Sequence, residues 1–189
     1  MNLQYLNWKI DLENPAEAEP HEWFKVFSTW IPDAPEIFID VADYQHVPDG
    51  PVTLLVGHYV NYSLDAVDRN LGLLYDYKHP IEGSNEEKIL SSLLGLFRVA
   101  KRLEDDAGFS HKPKFKAGSL RFIVNSRAIA PNSAETLEAV KPDLVKVLAK
   151  AFGEGGFSIE HLTNPRQRFS VQVSAKGTPD LAEVLKRLG

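Results

Sequence analysis

The chain has 189 residues, of which 43% are hydrophobic and 25% charged, with a formal net charge of -5 and no cysteine. That length is ordinary for one domain burying roughly 70% of its unfolded surface, and the composition is that of a folded chain. The acidic balance argues against a general nucleic-acid binder, and the missing cysteines exclude disulfides, thiol nucleophiles, iron–sulfur ligation and Cys-containing zinc sites.

Residues 3–12 alternate weakly, with Tyr5, Asn7, Lys9 and Asp11 opposing Leu6, Trp8, Ile10 and Leu12, and predict a half-buried strand. ENPAEAEP is a loop. HEWFKVFSTWI places Trp23, Val26, Phe27 and Trp30 at helical spacing and predicts a short amphipathic helix ending before Pro32. Its tryptophans are expected as a core seam rather than a ligand-stacking platform.

The block 36–79 predicts three strands, EIFIDVADYQHV, PVTLLVGHYVNYSLD and NLGLLYDYKH. The links VPDGP and DAVDRN are short enough to favour antiparallel neighbours. Ser84 and Glu87 stand at capping-box spacing before the strongest helix, whose apolar stripe runs from Ile89 through Leu93 and Phe97 to Leu103, with Gly108 as its stop.

Lys112, Lys114 and Lys116 read as a solvated loop leading into the strand SLRFIVNSR. Asn132 as cap and Glu135 in the capping-box position predict the next helix entrance. Pro142 then either kinks one helix or separates two. FSIEHLT and RFSVQVSAKG predict a hairpin around NPRQ, and TPDLAEVLKRL a closing helix with Thr178 as cap and Pro179 at its first position.

This order predicts a single α+β domain over residues 1–189, with a mostly antiparallel or mixed sheet and helices packed mainly on one face. A strand, a helix, further strands and a final helix occur twice. Two related split βαβ-like halves, about 1–108 and 109–189, are therefore one reading, resting on organisation without a shared residue signature.

Chemistry-bearing residues concentrate in the block 36–79. Strand parity puts Ile37, Ile39 and Val41 toward the helices and leaves Asp40 and Tyr44 on the open side. The same rule puts His58 and Tyr62 on one face of the next strand, with Asp65 just beyond. A histidine with carboxylate and phenol neighbours can shuttle protons, so His58 with Asp40 or Asp65, aided by Tyr44 or Tyr62, is the candidate catalytic set. A structural histidine satisfied by its neighbours accounts for the same pattern.

The histidines and aspartates of this block form neither a helical zinc motif nor a calcium loop, and no metal or cofactor is expected. LVGHYVN and GEGG lack the phosphate-loop arrangement, so their glycines are expected to serve packing or turns, and no nucleophile elbow occurs. Asn125 and Arg127 share a strand face and, with the helix-entrance amides near Asn132, form a candidate anion site. Tyr44 is a further candidate ligand contact. Arg166 and Arg168, in the hairpin turn, are expected in solvent.

The reading with most support is a non-catalytic binding or assembly domain, with a small-molecule ligand, a protein partner or self-association into a homo-oligomer through open sheet edges. The alternative is a small-molecule hydrolase or isomerase centred on His58. No leader pattern and no run of membrane-spanning length is legible, so a cytoplasmic protein without membrane insertion is expected.

Overall fold

The computed structural model describes residues 1–47 and 49–189. Alternation along β1 (Leu6–Leu12) sends Leu6, Trp8, Ile10 and Leu12 into the core and turns Asn7, Lys9 and Asp11 to the other side. The helix α1 (Pro20–Asp33) buries Trp23, Val26, Phe27 and Trp30, as their spacing predicts. Their rings meet edge to face, Trp23 and Phe27 at 5.7 Å and Phe27 and Trp30 at 5.4 Å. The helix runs past its expected stop because Pro32 sits in the last turn, where a missing N–H interrupts little that follows. The Ala34 N–H closes that end on the carbonyls of Trp30 and Ile31.

The block 36–79 forms four strands rather than three: β2 (Phe38–Asp43), β3 (Pro51–Gly57), β4 (Val60–Asp65) and β5 (Gly72–Tyr77). What parity treats as one long strand is a hairpin that reverses at His58 and Tyr59. Gly57 makes so tight a reversal possible, because a Cβ there would lie 2.3 Å from the carbonyl oxygen of Val60. In β2 the pairing with β3 shifts register between Phe38 and Asp40. The bulge turns Phe38 and Val41 inward and leaves Ile37 and Ile39 exposed, correcting the inward placement expected for those two isoleucines.

The capping box of α2 (Asn85–Asp105) is complete: the Ser84 hydroxyl oxygen accepts from the Glu87 N–H, and the Glu87 carboxylate accepts from the Ser84 N–H. The buried stripe of α2 includes Ile89, Leu93, Phe97, Ala100 and Leu103, and the helix ends at an Asp106 cap, before the expected Gly108. The Trp8 indole N–H donates to Ser92 Oγ at 2.9 Å, fastening β1 to α2 inside the core.

The remaining elements are β6 (Phe115–Val124), α3 (Ala134–Phe152), β7 (Phe157–His161), β8 (Phe169–Ala175) and α4 (Leu181–Leu188). α3 continues through Pro142, which removes the N–H partner of the Glu138 carbonyl. Both residues are exposed, so the loss falls on the solvent side of the helix, while buried Val140, Leu144 and Val147 hold it in place. The caps fall one and two residues later than expected, on Ser133 for α3 and Asp180 for α4.

Among the described residues eight strands join one sheet in the order β2-β3-β4-β5-β1-β6-β8-β7, every pairing antiparallel. α1 lies on β2 and β3, α2 on β1 and β5, and α4 on β6, while α3 packs beside α2 and α4 and reaches β7. The fold is thus α+β, an antiparallel sheet with its helices on one face. From the adjacent β1–β6 pair the order runs outward through β5, β4, β3 and β2 on one side, and through β8 and β7 on the other. Among the described residues no helix is long and apolar enough to cross a membrane.

Hydrogen bonds from the Ser84 backbone N–H and hydroxyl hold the Glu87 carboxyl below its ordinary value. A depressed folded value means that this contribution to stability is fully present above the ordinary glutamate value of 4.5 and is lost as pH falls through the folded one. Thermal melts at about pH 6 and about pH 3 should show Glu87→Gln less stable than the wild type at the higher pH, with the gap shrinking at the lower.

Candidate functional site

The proposed catalytic residues are not brought together. His58 lies exposed in the β3–β4 turn, its N–H donating to the Ile37 carbonyl and its own carbonyl 3.0 Å from His79 Nε2. Tyr62 faces the helices, 8% exposed, between Phe38 and Tyr75, and burial pushes its phenol up to about 12. Asp40 is exposed on the edge strand β2, where its carboxylate accepts from the adjacent Val41 N–H. Asp65 is buried on the sheet face opposite Tyr62. The turn at His58 is the physical reason: it resets the alternation that placed His58 and Tyr62 together.

Tyr44 sits at the β2 edge beside His46, far along the strand order from Asn125 and Arg127. Asn132 neither caps α3 nor offers helix amides to an anion. Its Nδ2 donates to the carbonyls of Leu162 and Asn164, both at 2.8 Å, and its Oδ1 lies 2.7 Å from His161 Nε2. Asn132 therefore anchors the loop between β7 and β8. Among the described residues no three His, Cys, Asp or Glu side chains stand together where they could hold a metal ion.

The helix-free face of the sheet is polar and in part buried. Asn7 and Lys9 of β1 and Ser63 and Asp65 of β4 are all at most 4% exposed. Lys9 reaches past β5 to Asp65, Nζ to Oδ1 at 2.7 Å, and also donates to the Val67 carbonyl at 3.0 Å. The same Asp65 oxygen accepts from the Val67 N–H at 3.1 Å. This charge pair ties the loop after β4 down onto the open face.

That loop makes a short 3₁₀ turn, Val67–Arg69, in which Asp68 and Arg69 both have φ of 60°. A left-handed backbone costs a residue other than glycine about 1–2 kcal/mol, less for Asp, so tertiary contacts hold the turn. One of them is an ion pair between the Asp68 carboxylate and Arg121 Nη1, on β6. Another is the Asp68 N–H donating to Asp49 Oδ1 at 3.2 Å.

Between this turn and the β7–β8 loop lies a cleft of about 470 Å³. Arg121, Arg127, Arg166 and Arg168 line it with Asn125, and Asp68 is the one carboxylate in the lining. Its floor is made by β6 and β8, which are paired neighbours: Arg121 faces Gln172, and Ile123 faces Ser170. Arg168 Nη1 donates to Asn125 Oδ1 at 2.8 Å, and Arg127 Nη1 lies 3.4 Å from the Arg166 carbonyl. Arg166 to Arg168 are held by an Asn164 turn, where the Gln167 N–H donates to the Asn164 carbonyl and the Arg166 N–H to its side chain.

The cleft contains two residues that the strand pattern marks as ligand contacts, Asn125 and Arg127. It adds two arginines expected in solvent, Arg166 and Arg168. Arg121 and Asp68 carry no local signal, because only the strand order places them there. Four guanidinium groups around one open cavity make a positively charged basin in a chain of net charge -5, able to bind anions through charge-assisted, planar hydrogen bonds. No protein-family model matches the chain, and no curated protein matches it either.

Lys9 and Asp65 are both sealed from solvent, so removing one partner leaves the other charge uncompensated. Lys9→Met should cost about 3–5 kcal/mol in urea unfolding, and adding Asp65→Leu should recover much of that loss.

Proposed function

We propose that this chain is a non-catalytic binding or assembly domain that receives an anionic ligand in the arginine cleft of its open sheet face. The carrying observation is that no carboxylate among the described residues pairs with Arg127, Arg166 or Arg168, although all three line one cavity. Among the described residues their side chains bond only to neutral oxygens, from Arg168 to Asn125 and from Arg127 to a carbonyl. Like charges gathered without counter-charges raise the local potential, and an incoming anion relieves it.

Binding is favoured over proton-transfer chemistry because, among the described residues, the cleft wall has no histidine or tyrosine and its one carboxylate, Asp68, is engaged by Arg121. The separate positions of His58, Tyr62, Asp40 and Asp65 give the hydrolase alternative no common pocket. The proposal further takes residues 1–189 as one cytoplasmic domain with a pseudo-repeat dividing near residue 108. That division is supported by β1 and β6 lying side by side, each followed outward by later strands of its own half.

Isothermal titration with sulfate, pyrophosphate and citrate tests the cleft directly. At least one should bind, more weakly as salt is raised, and Arg127→Ala with Arg168→Ala should lower that affinity about tenfold or more, since hydrogen bonds between charged groups are lost. Unchanged binding by the double variant would place the ligand elsewhere, and no binding of any anion would overturn the proposal.

A further inference from the structure

Resting on that reading, we infer that the cleft takes a ligand presenting neighbouring carboxylates, one of which replaces Asp68 on Arg121. Asp68 is the protein's own stand-in for that ligand. Among the described residues it is the only anion in the lining, and it already occupies one of the four guanidinium groups while the others have no carboxylate.

The resident contact is incomplete. Asp68 meets Arg121 at Nη1, while the buried Nε of Arg121 has no hydrogen-bond partner. A guanidinium holds a carboxylate best through two parallel N–H bonds in its own plane. A ligand carboxylate free to choose its approach can replace this single contact once Asp68 has moved. Asp68 cannot choose its approach, because its backbone sits in the left-handed turn and its N–H is committed to Asp49.

Carboxylate is favoured over phosphate by what the cleft lacks among its lining residues. Phosphate sites commonly add a helix N-terminus or a run of converging backbone amides to their basic side chains. The entrance of α3 is not part of this wall, Asn132 being turned to the β7–β8 loop instead. No aromatic side chain lines the cleft, so a nucleotide base has no ring to stack on. Several arginines set around one cavity suit a molecule carrying more than one carboxylate, either a small polycarboxylic acid or the side chains of an acidic peptide.

The experiment titrates citrate, a hexaglutamate peptide and pyrophosphate into the wild type, Asp68→Asn and Asp68→Asn with Arg121→Gln. Asparagine tolerates the left-handed backbone and keeps the backbone N–H bond to Asp49, so Asp68→Asn removes the competing charge while that second contact still holds the turn. Citrate or the peptide should bind the wild type better than pyrophosphate, the tighter of the two naming the source of the carboxylates. Asp68→Asn should tighten that binding about two- to fivefold, the range expected for releasing a partly exposed ion pair, and Arg121→Gln should cancel the gain. Wild-type binding that Asp68→Asn leaves unchanged or weakens overturns the stand-in role while the anion cleft stands. Preference for pyrophosphate overturns the carboxylate assignment. Failure of all three ligands on every variant overturns the cleft itself.

Discussion

Strand β1 must satisfy two opposite environments at once, because it lies in the middle of an eight-stranded sheet covered by helices on one face alone. On the covered side, Leu6, Trp8, Ile10 and Leu12 pack into the core, and the indole of Trp8 finds its partner in Ser92. On the other side Asn7 and Lys9 are nearly as well buried, without a helix to cover them. The answer on that side is electrostatic: Lys9 is neutralised by Asp65 across β5 and capped by the Val67 carbonyl. A buried lysine without such a partner would be untenable, so the loop after β4 has to fold down over the sheet.

That loop is what turns an open sheet face into a cleft. Once Val67 is bound to Lys9 and Asp65, the next residue, Asp68, stands over β6 and meets Arg121. The opposite wall comes from the β7–β8 loop, set by the hydrogen bonds of Asn132. The two walls are held by different kinds of contact, a buried charge pair on one side and neutral amide bonds on the other. Both are electrostatic, but the first joins two full charges and depends more strongly on the low local dielectric. Among the described residues the Arg121–Asp68 contact is the one ion pair that either wall offers these arginines.

Much of the core was legible locally. The helical spacing of Trp23, Val26, Phe27 and Trp30, the capping box of Ser84 and Glu87, and the alternation of β1 each describe contacts made within a few residues or on one face of one element. The block 36–79 was harder to read. Gly57 was visible as a residue permitting a turn, yet parity carried through it joined His58 and Tyr62 on one face, and a two-residue hairpin separates them. Ile37 and Ile39 misled in the same way, since a single bulge reverses the direction of everything before it.

By itself the sequence determined most of the helices and strands, the apolar side of β1, α1 and α2, and the pairing of Asn125 with Arg127 as candidate anion contacts. Those properties follow from covalent spacing and need no distant partner. Only the tertiary structure decided that Lys9 and Asp65 meet across an intervening strand, that Asn132 serves a loop instead of a helix end, and that Asp68 and Arg121 face each other 53 residues apart along the chain. Strand order governs all of these. It is set by the collective burial of the core and the closing of helical crossovers, and no local pattern around Asp68 or Arg121 encodes it.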